Sequence, residues 1–212
     1  MTQILGISSS PVKKGNTETL LDHMMKTARG FGCDTKSVKL SGMDIKECIH
    51  CNSCIGKQKE HKYCILDDDA QLIFEMAQEA DILLFASPVY HMRTNARMAA
   101  LLDRMRVFIF GNISGGKLKN KVGISAAVAW KRHGGFETTH LSHMYAFFNF
   151  DMIPVGCHHS ISPLGASVVS SRHGNGIFEK DIKLGILEDK AGLKSAEMII
   201  KRAVEVTKNL GN

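Results

Sequence analysis

The sequence predicts an α/β fold: a doubly wound parallel sheet of five strands in the order 2-1-3-4-5, with helices on both faces. Two observations predict it. Short apolar runs alternate with longer segments whose apolar residues recur at helical spacing. Such alternation implies right-handed crossovers, which make the strands parallel. Polar loops follow the strands at the end where such sheets hold ligands.

The first strand is expected over residues 3–7, ahead of three serines. "GNTETLLDHMMKTARGFG" then reads as a helix, because Leu20, Leu21, Met24, Met25 and Ala28 form one apolar stripe. Asn16 or Thr17 is its expected cap, and Gly30 and Gly32 end it. "DTKSVKL" is the second strand, followed by a long irregular segment dense in Cys, Lys and His. "DAQLIFEMAQEA" is a helix and "DILLFAS" the third strand. "TNARMAALLDRMRVF" is a helix with its stripe at Met98, Leu101, Leu102 and Met105. "KVGISAAVA" is the fourth strand, "FETTHLSHMYAFFNF" a helix and "MIPVGCH" the fifth strand. Residues 158–187 read as an irregular excursion rich in Gly and Ser, before a closing helix. The whole chain, 1–212, is expected to form one domain, with residues 44–68 as an insertion after strand 2.

Composition narrows the function. At 44% apolar and 23% charged residues the chain is globular in type. The net charge of +6 comes from scattered Lys and Arg, with one Trp and three Tyr, so nucleic-acid binding is disfavoured. A mild positive field suits anionic cofactors or an acidic electron-transfer partner. No apolar run approaches the roughly 18 residues of a membrane span. "MTQILGISSS" is short and lacks a basic n-region, so no signal peptide and a cytoplasmic location are expected. A reducing compartment disfavours disulfides and leaves thiols for metals.

Three segments carry chemistry. In "GISSSPVKKGNTETL", Ser8, Ser9, Ser10, Asn16 and Thr17 lead into a helix start, whose free N–H groups and partial positive charge suit a phosphate. Neither G-x-G-x-x-G nor a Gly-Lys-Ser/Thr ending is present, which leaves a monophosphate such as that of FMN, or an ordinary capped loop. Ser87, Pro88, Val89 and Tyr90 end strand 3, where a rigid backbone beside an aromatic ring suits a flat heterocycle. His91 follows without an evident orienting carboxylate, and reads as a solvated loop residue.

The third segment spaces Cys48, Cys51, Cys54 and Cys64 as C-x2-C-x2-C-x9-C. Three cysteines at two successive x2 gaps bring several thiolates to one centre, as in [4Fe–4S] loops. Four-cysteine zinc sites more often come as two separated pairs, and a metal-free loop is the remaining reading. A longer last gap adds only tenths of a kcal/mol of closure entropy, on the order of the logarithmic loop cost. His50 and His61 lie within the run but are not needed if four thiols suffice. Cys33 and Cys157 read as buried structural residues. No catalytic triad is visible.

"SSSPVKKGNT", the cysteine run ending in "CILDDD", "ADILLFASPVY", "ALLDR" and "HGGFETT" occur in an order that resembles the NADPH-dependent FMN reductase branch of the flavodoxin-like superfamily. Within it, residues 3–157 are most similar to the iron–sulfur flavoproteins of anaerobes, which carry a shorter last cysteine gap. The resemblance implies that Ser8, Ser10, Asn16 and Thr17 hold the FMN phosphate, and that Pro88, Val89, Tyr90 and His91 line the isoalloxazine. It implies that the loop from Ser125 through Gly134 and Gly135 closes over the ring, and that the cysteines hold a [4Fe–4S] cluster. It further implies a homodimer or homotetramer, with NAD(P)H stacking on the flavin without a motif of its own.

The expected function is a flavin-dependent oxidoreductase, passing electrons from ferredoxin or NAD(P)H to a small acceptor. Two other readings stay open: an NAD(P)H-dependent FMN or quinone reductase with zinc or no metal at the cysteines, and a non-enzymatic electron carrier.

Overall fold

The computed structural model describes residues 1–158 and 160–211; His159, inside the expected excursion, and Asn212 lie outside the described residues. Five strands run through the sheet in the order β2-β1-β3-β5-β6: β1 (Gln3–Ser8), β2 (Asp34–Lys39), β3 (Ile82–Tyr90), β5 (Val122–Ala129) and β6 (Ile153–Pro154). Two more lie off this path, β4 (Arg93–Thr94) against β3 and β7 (Ala166–Val169) against β5. Among the described residues the sheet thus has seven strands where five in the order 2-1-3-4-5 were expected. All its pairings are parallel except β3 with β4.

The extra strands have physical causes. β3 does not stop at Ser87 but runs on to Tyr90, with Pro88 in register with Val128 of β5. Its end then folds back on β4 through His91 and Met92, both at positive φ, as a tight hairpin requires. The expected fifth strand keeps only two paired residues, because the chain leaves β5 after Val155. It returns as β7 along the same edge, opposite Ala126–Ala129. The supposedly irregular excursion therefore supplies four buried residues to the core.

The helices are α1 (Asn16–Gly30), α2 (Ser53–Gly56), α3 (Ala70–Glu79), α4 (Ala96–Arg104), α5 (Val107–Phe110), α6 (Phe136–Asn149) and α7 (Lys190–Asn209). The single helix expected over 94–108 is instead β4 followed by α4 and α5. Asn95 caps α4 by accepting from the Met98 N–H at 3.2 Å.

Side-chain alternation along each strand divides the core. Ile4, Ile82, Leu84 and Ile124 face α1 and α7, packing on Leu20, Met24, Ile199 and Ile200. Leu5, Ile7, Leu83 and Phe85 face the other helices, with Phe74, Met98, Leu101 and Phe147. Phe85 stacks on Phe147 at 4.8 Å. Gly6 lets α1 approach, since a Cβ there would stand 2.5 Å from Leu21 Cδ1. Among the described residues no helix is long and apolar enough to cross a membrane.

Candidate functional site

The strands' carboxyl ends open into a cavity of about 240 Å³ lined by Ser10, Val12, Gly15, Asn16, Thr17, Pro88, Val89, Tyr90, Val128, Trp130, Ser170 and Lys183. A second cavity of about 220 Å³ shares Asn16, Trp130, Ser170 and Lys183 with it. Side by side they approach the size of small-molecule sites, roughly 300–1,000 Å³. Six of the residues anticipated for a flavin, Ser10, Asn16, Thr17, Pro88, Val89 and Tyr90, line one space.

The expected side-chain cap of α1 is absent. Gly15 occupies the cap position without a side-chain bond, and Asn16 Oδ1 instead accepts from the Ile186 N–H at 3.2 Å. The start of α1 is thus tied to the C-terminal excursion. Glu18, in the first turn, accepts from the Lys14 N–H and the Ser41 hydroxyl, both at 2.7 Å. Those bonds engage the one carboxylate in that turn.

Other anticipated residues lie elsewhere. Ser8 is fully buried beneath the loop, its Oγ accepting from the Ser10 N–H. His91 sits exposed in the β3–β4 turn, outside the cavity lining. Gly134 packs on Lys131, and Gly135 (φ +100°) braces that turn: a Cβ there would lie 2.3 Å from Met92 Cα. The structure does not bring Ser125 to the cavity. It lies mid-strand in β5, fully buried, where its Oγ meets Nδ1 of both His140 and His143 at 2.7 Å.

That serine centres a buried polar chain. His140 Nε2 reaches Ser167 Oγ at 2.9 Å, and His143 Nε2 reaches Thr94 Oγ1 at 3.2 Å. Thr94 donates to Ser87 Oγ at 3.0 Å, and the neighbouring Asn95 Nδ2 donates to the Ser9 carbonyl at 2.7 Å. Burial pulls His140 down to about 4; burial and the neighbouring His140 pull His143 down to about 3. Both rings are neutral at pH 7. The chain clamps the end of β3 to the serine loop by neutral hydrogen bonds.

Trp130 lies within the loop expected to close over the ring but was not singled out, and Ser170 and Lys183 were not anticipated. The chain's single Trp, directly after the fourth expected strand, was a usable signal for the first. Nothing local marks Ser170 or Lys183, which arrive on the returning excursion. Tyr90 and Trp130 present exposed rings at the cavity, and Lys183 is its only lining cation among the described residues.

Cys48, Cys51, Cys54 and Cys64 all line one small cavity of about 20 Å³, with Leu66, Val107, Arg104 and Arg106 around them. Positive φ at His50 and Asn52 curls the chain tightly around Cys51. The nine-residue gap is pinned from inside. Gln58 is buried, its Nε2 donating to the Tyr63 carbonyl and Ser114 Oγ, its Oε1 accepting from the Ile113 and Ser114 N–H groups. The three aspartates after Cys64 hold the incoming arm: Asp69 accepts from the Asp44 N–H, Asp68 from the Lys46 N–H, and the Asp67 carbonyl from Lys46 Nζ. Arg104 forms a bidentate pair with Asp68 at 2.6 and 3.0 Å, side chains 1% and 0% exposed.

Burial pushes the Cys54 thiol up, whereas hydrogen bonds from Ser53 pull exposed Cys51 down. All six cysteines are free. Among the described residues no three His, Cys, Asp or Glu side chains close on a single ion position. His50 and His61 are exposed and line a different space or pair with Glu60 and Glu75. A groove of about 820 Å³ runs from Cys48, His50 and Arg106 to Arg93 and Thr94 of β4, joining the surroundings of the cysteines to the turn beyond Tyr90.

Residues 2–165 match a family described as NADPH-dependent FMN reductase. The chain is 33% identical over 207 residues to an iron–sulfur flavoprotein of Methanocaldococcus jannaschii, covering 97% of each. Its fold is like that of RosB bearing 8-demethyl-8-formylriboflavin-5'-phosphate (TM-score 0.77, 15% identity, 100% of this chain and 81% of that one). It is also like a flavodoxin, WrbA-like protein of Agrobacterium tumefaciens (TM-score 0.62, 11% identity, 99% of each). These two likenesses show the flavodoxin-like fold.

Proposed function

The chain belongs to the NADPH-dependent FMN reductase family, among its iron–sulfur flavoproteins, and on that premise we propose that this flavin-dependent oxidoreductase holds FMN in the strand-end cleft and a [4Fe–4S] cluster at Cys48, Cys51, Cys54 and Cys64. The observation that carries the reading is the convergence of all four thiols on one cavity, Cys64 included, despite the nine-residue gap. Three cysteines at successive x2 gaps with a fourth lining the same cavity suit a polynuclear centre better than tetrahedral zinc, whose four-cysteine sites more often come as two separated pairs.

The cleft fits a flavin phosphate. Ser10, Asn16 and Thr17 stand at the start of α1 with its unpaired N–H groups, and Lys183 adds a cation. Pro88, Val89 and Tyr90 form a wall that the buried histidine chain holds still, and Trp130 borders the opposite strand. When bound, FMN exchanges one or two electrons and a four-iron cluster exchanges one, so the pair joins one-electron and two-electron partners. We assign ferredoxin or NAD(P)H as donor, a small molecule as acceptor, a homodimer or homotetramer as the assembly, and the cytoplasm, where thiols stay reduced.

Anaerobic purification with iron, zinc, sulfide and flavin quantified together tests this. The expected result is about four iron and four sulfide per chain with bound FMN. Flavin with zinc, or with no metal, would replace it by the FMN or quinone reductase reading. Protein that holds cofactors but turns over no small acceptor would make it an electron carrier.

A further inference from the structure

Arg104 ends α4 at the edge of the cysteine cavity. Its Nη1 donates to the Lys46 carbonyl at 3.0 Å and to Asp68 Oδ2 at 2.6 Å, and its Nη2 donates to Asp68 Oδ1 at 3.0 Å. Asp68 also accepts from the Lys46 and Ala70 N–H groups, so the carboxylate is itself fixed. The guanidinium is thus rigid, buried and neutralised by its partner. One part is left over: Nε is buried and has no hydrogen-bond partner among the described residues. A buried orphan donor is costly and rare, so its acceptor is expected at that position. Cys64 lies within reach of the guanidinium. Arg106 also lines the cavity, but its Nη2 is bonded to Asn52 and it lies over Phe110 at 5.3 Å.

We propose that Arg104 sets the one-electron potential of the centre at Cys48, Cys51, Cys54 and Cys64 by presenting a fixed N–H donor to its sulfur atoms. This rests on the reading that those cysteines hold a [4Fe–4S] cluster. Reduction brings one electron and no proton into the cavity, adding a negative charge beside the donor. Because Asp68 already cancels the charge of Arg104, the contribution is a directed hydrogen bond rather than a net field. Hydrogen bonds to cluster sulfurs favour the reduced form and raise the potential. Arg104 is a positioning residue with respect to electron transfer: it exchanges no electron itself.

The test is an anaerobic potential titration of the iron-loaded protein followed by electron paramagnetic resonance. Arg104→Lys keeps a cation for Asp68 but loses the planar fork. The equilibrium for reduction is expected to fall about tenfold, which for a one-electron couple is about 59 mV. An unchanged potential in iron-loaded R104K overturns the proposal. So does a folded R104K that holds no iron, because Arg104 would then only support the loop. If R104K does not fold, the double substitution R104M with D68L, which leaves no buried charge, is read the same way. A readout on intact guanidinium completes the test: protein labelled with 15N-arginine and carrying R106K is expected to show nitrogen hyperfine coupling to the reduced cluster, and its absence overturns the assignment. Wild-type protein without iron would defeat the parent reading, and this one with it; iron-loaded wild type with a null R104K result defeats this one alone.

Discussion

Two buried polar clusters hold the two candidate sites, and they are built from opposite materials. Beneath the flavin-type cleft, Ser87, Thr94, His143, Ser125, His140 and Ser167 form a chain of neutral groups. Beneath the cysteine cavity, Arg104 and Asp68 form an ion pair with buried side chains. The neutral chain joins strands of the sheet, where the backbone is already fixed. The ion pair joins α4 to the segment 44–68, which has little regular structure beyond α2. A bidentate pair fixes distance and orientation together, which a loop needs and a strand does not.

Four perturbations separate the clusters. The largest effect is expected from Arg104→Met, which strands a buried carboxylate and costs about 3–5 kcal/mol of unfolding free energy. The double variant with Asp68→Leu recovers most of that loss, and anaerobic urea unfolding reads both. Equal stability of R104M and wild type would show the pair to be wet.

Acid comes next. The folded chain refuses protons at His140 and His143, held at about 4 and about 3, that the unfolded chain accepts near 6.5. Their contribution to stability is complete above about pH 6.5 and falls as pH drops toward 4, by up to about 1.4 kcal/mol per pH unit for each ring. Asp68 is shifted in the same direction by a different cause: the Arg104 guanidinium, opposing the effect of burial, holds its carboxyl below the usual range. Its contribution is lost only as pH falls below about 3.8, through the lowered value. Hydrogen exchange at pH 5 should therefore show the histidine cluster opening before residues 44–68. Simultaneous opening would undo the comparison.

Thr94→Val is expected to cost about 1–3 kcal/mol, because it leaves His143 and Ser87 short of a partner. It should also loosen FMN, while the iron content stays the same. Iron loss in T94V would mean that the clusters are coupled through the groove. The smallest effect is Lys183→Ala, an exposed cation: about 0.3–1 kcal/mol of FMN affinity, read by flavin titration at low salt and weaker at high salt.

Much of this organisation was legible without coordinates. Leu20, Leu21, Met24 and Met25 announced α1 because helical periodicity is a local property. "SSSPVKKGNT" and "SPVY" pointed to one cleft because the ligand end of a parallel sheet follows from strand order. Spacing alone grouped Cys48, Cys51 and Cys54. Other features were hidden for physical reasons. β7 is four residues of "ASVV" between Gly and Ser, and only pairing with β5 makes them a strand. Asn16 looked like a cap, but its carbonyl oxygen is taken by Ile186, 170 residues away. Ser125 looked like a loop residue near the ring, yet the pleat turns it inward onto two histidines of α6.

The sequence by itself determined the α/β alternation, the two polar loops at the strand ends and the four-cysteine run, because each is written in residues a few positions apart. Tertiary structure alone decided that Cys64 joins the other three across the nine-residue gap, that Lys183 reaches the cleft, and that Arg104 meets Asp68 from 36 positions away. Those contacts depend on how the helices pack on a twisted sheet, and a buried charge or thiol finds its partner only when that packing removes water.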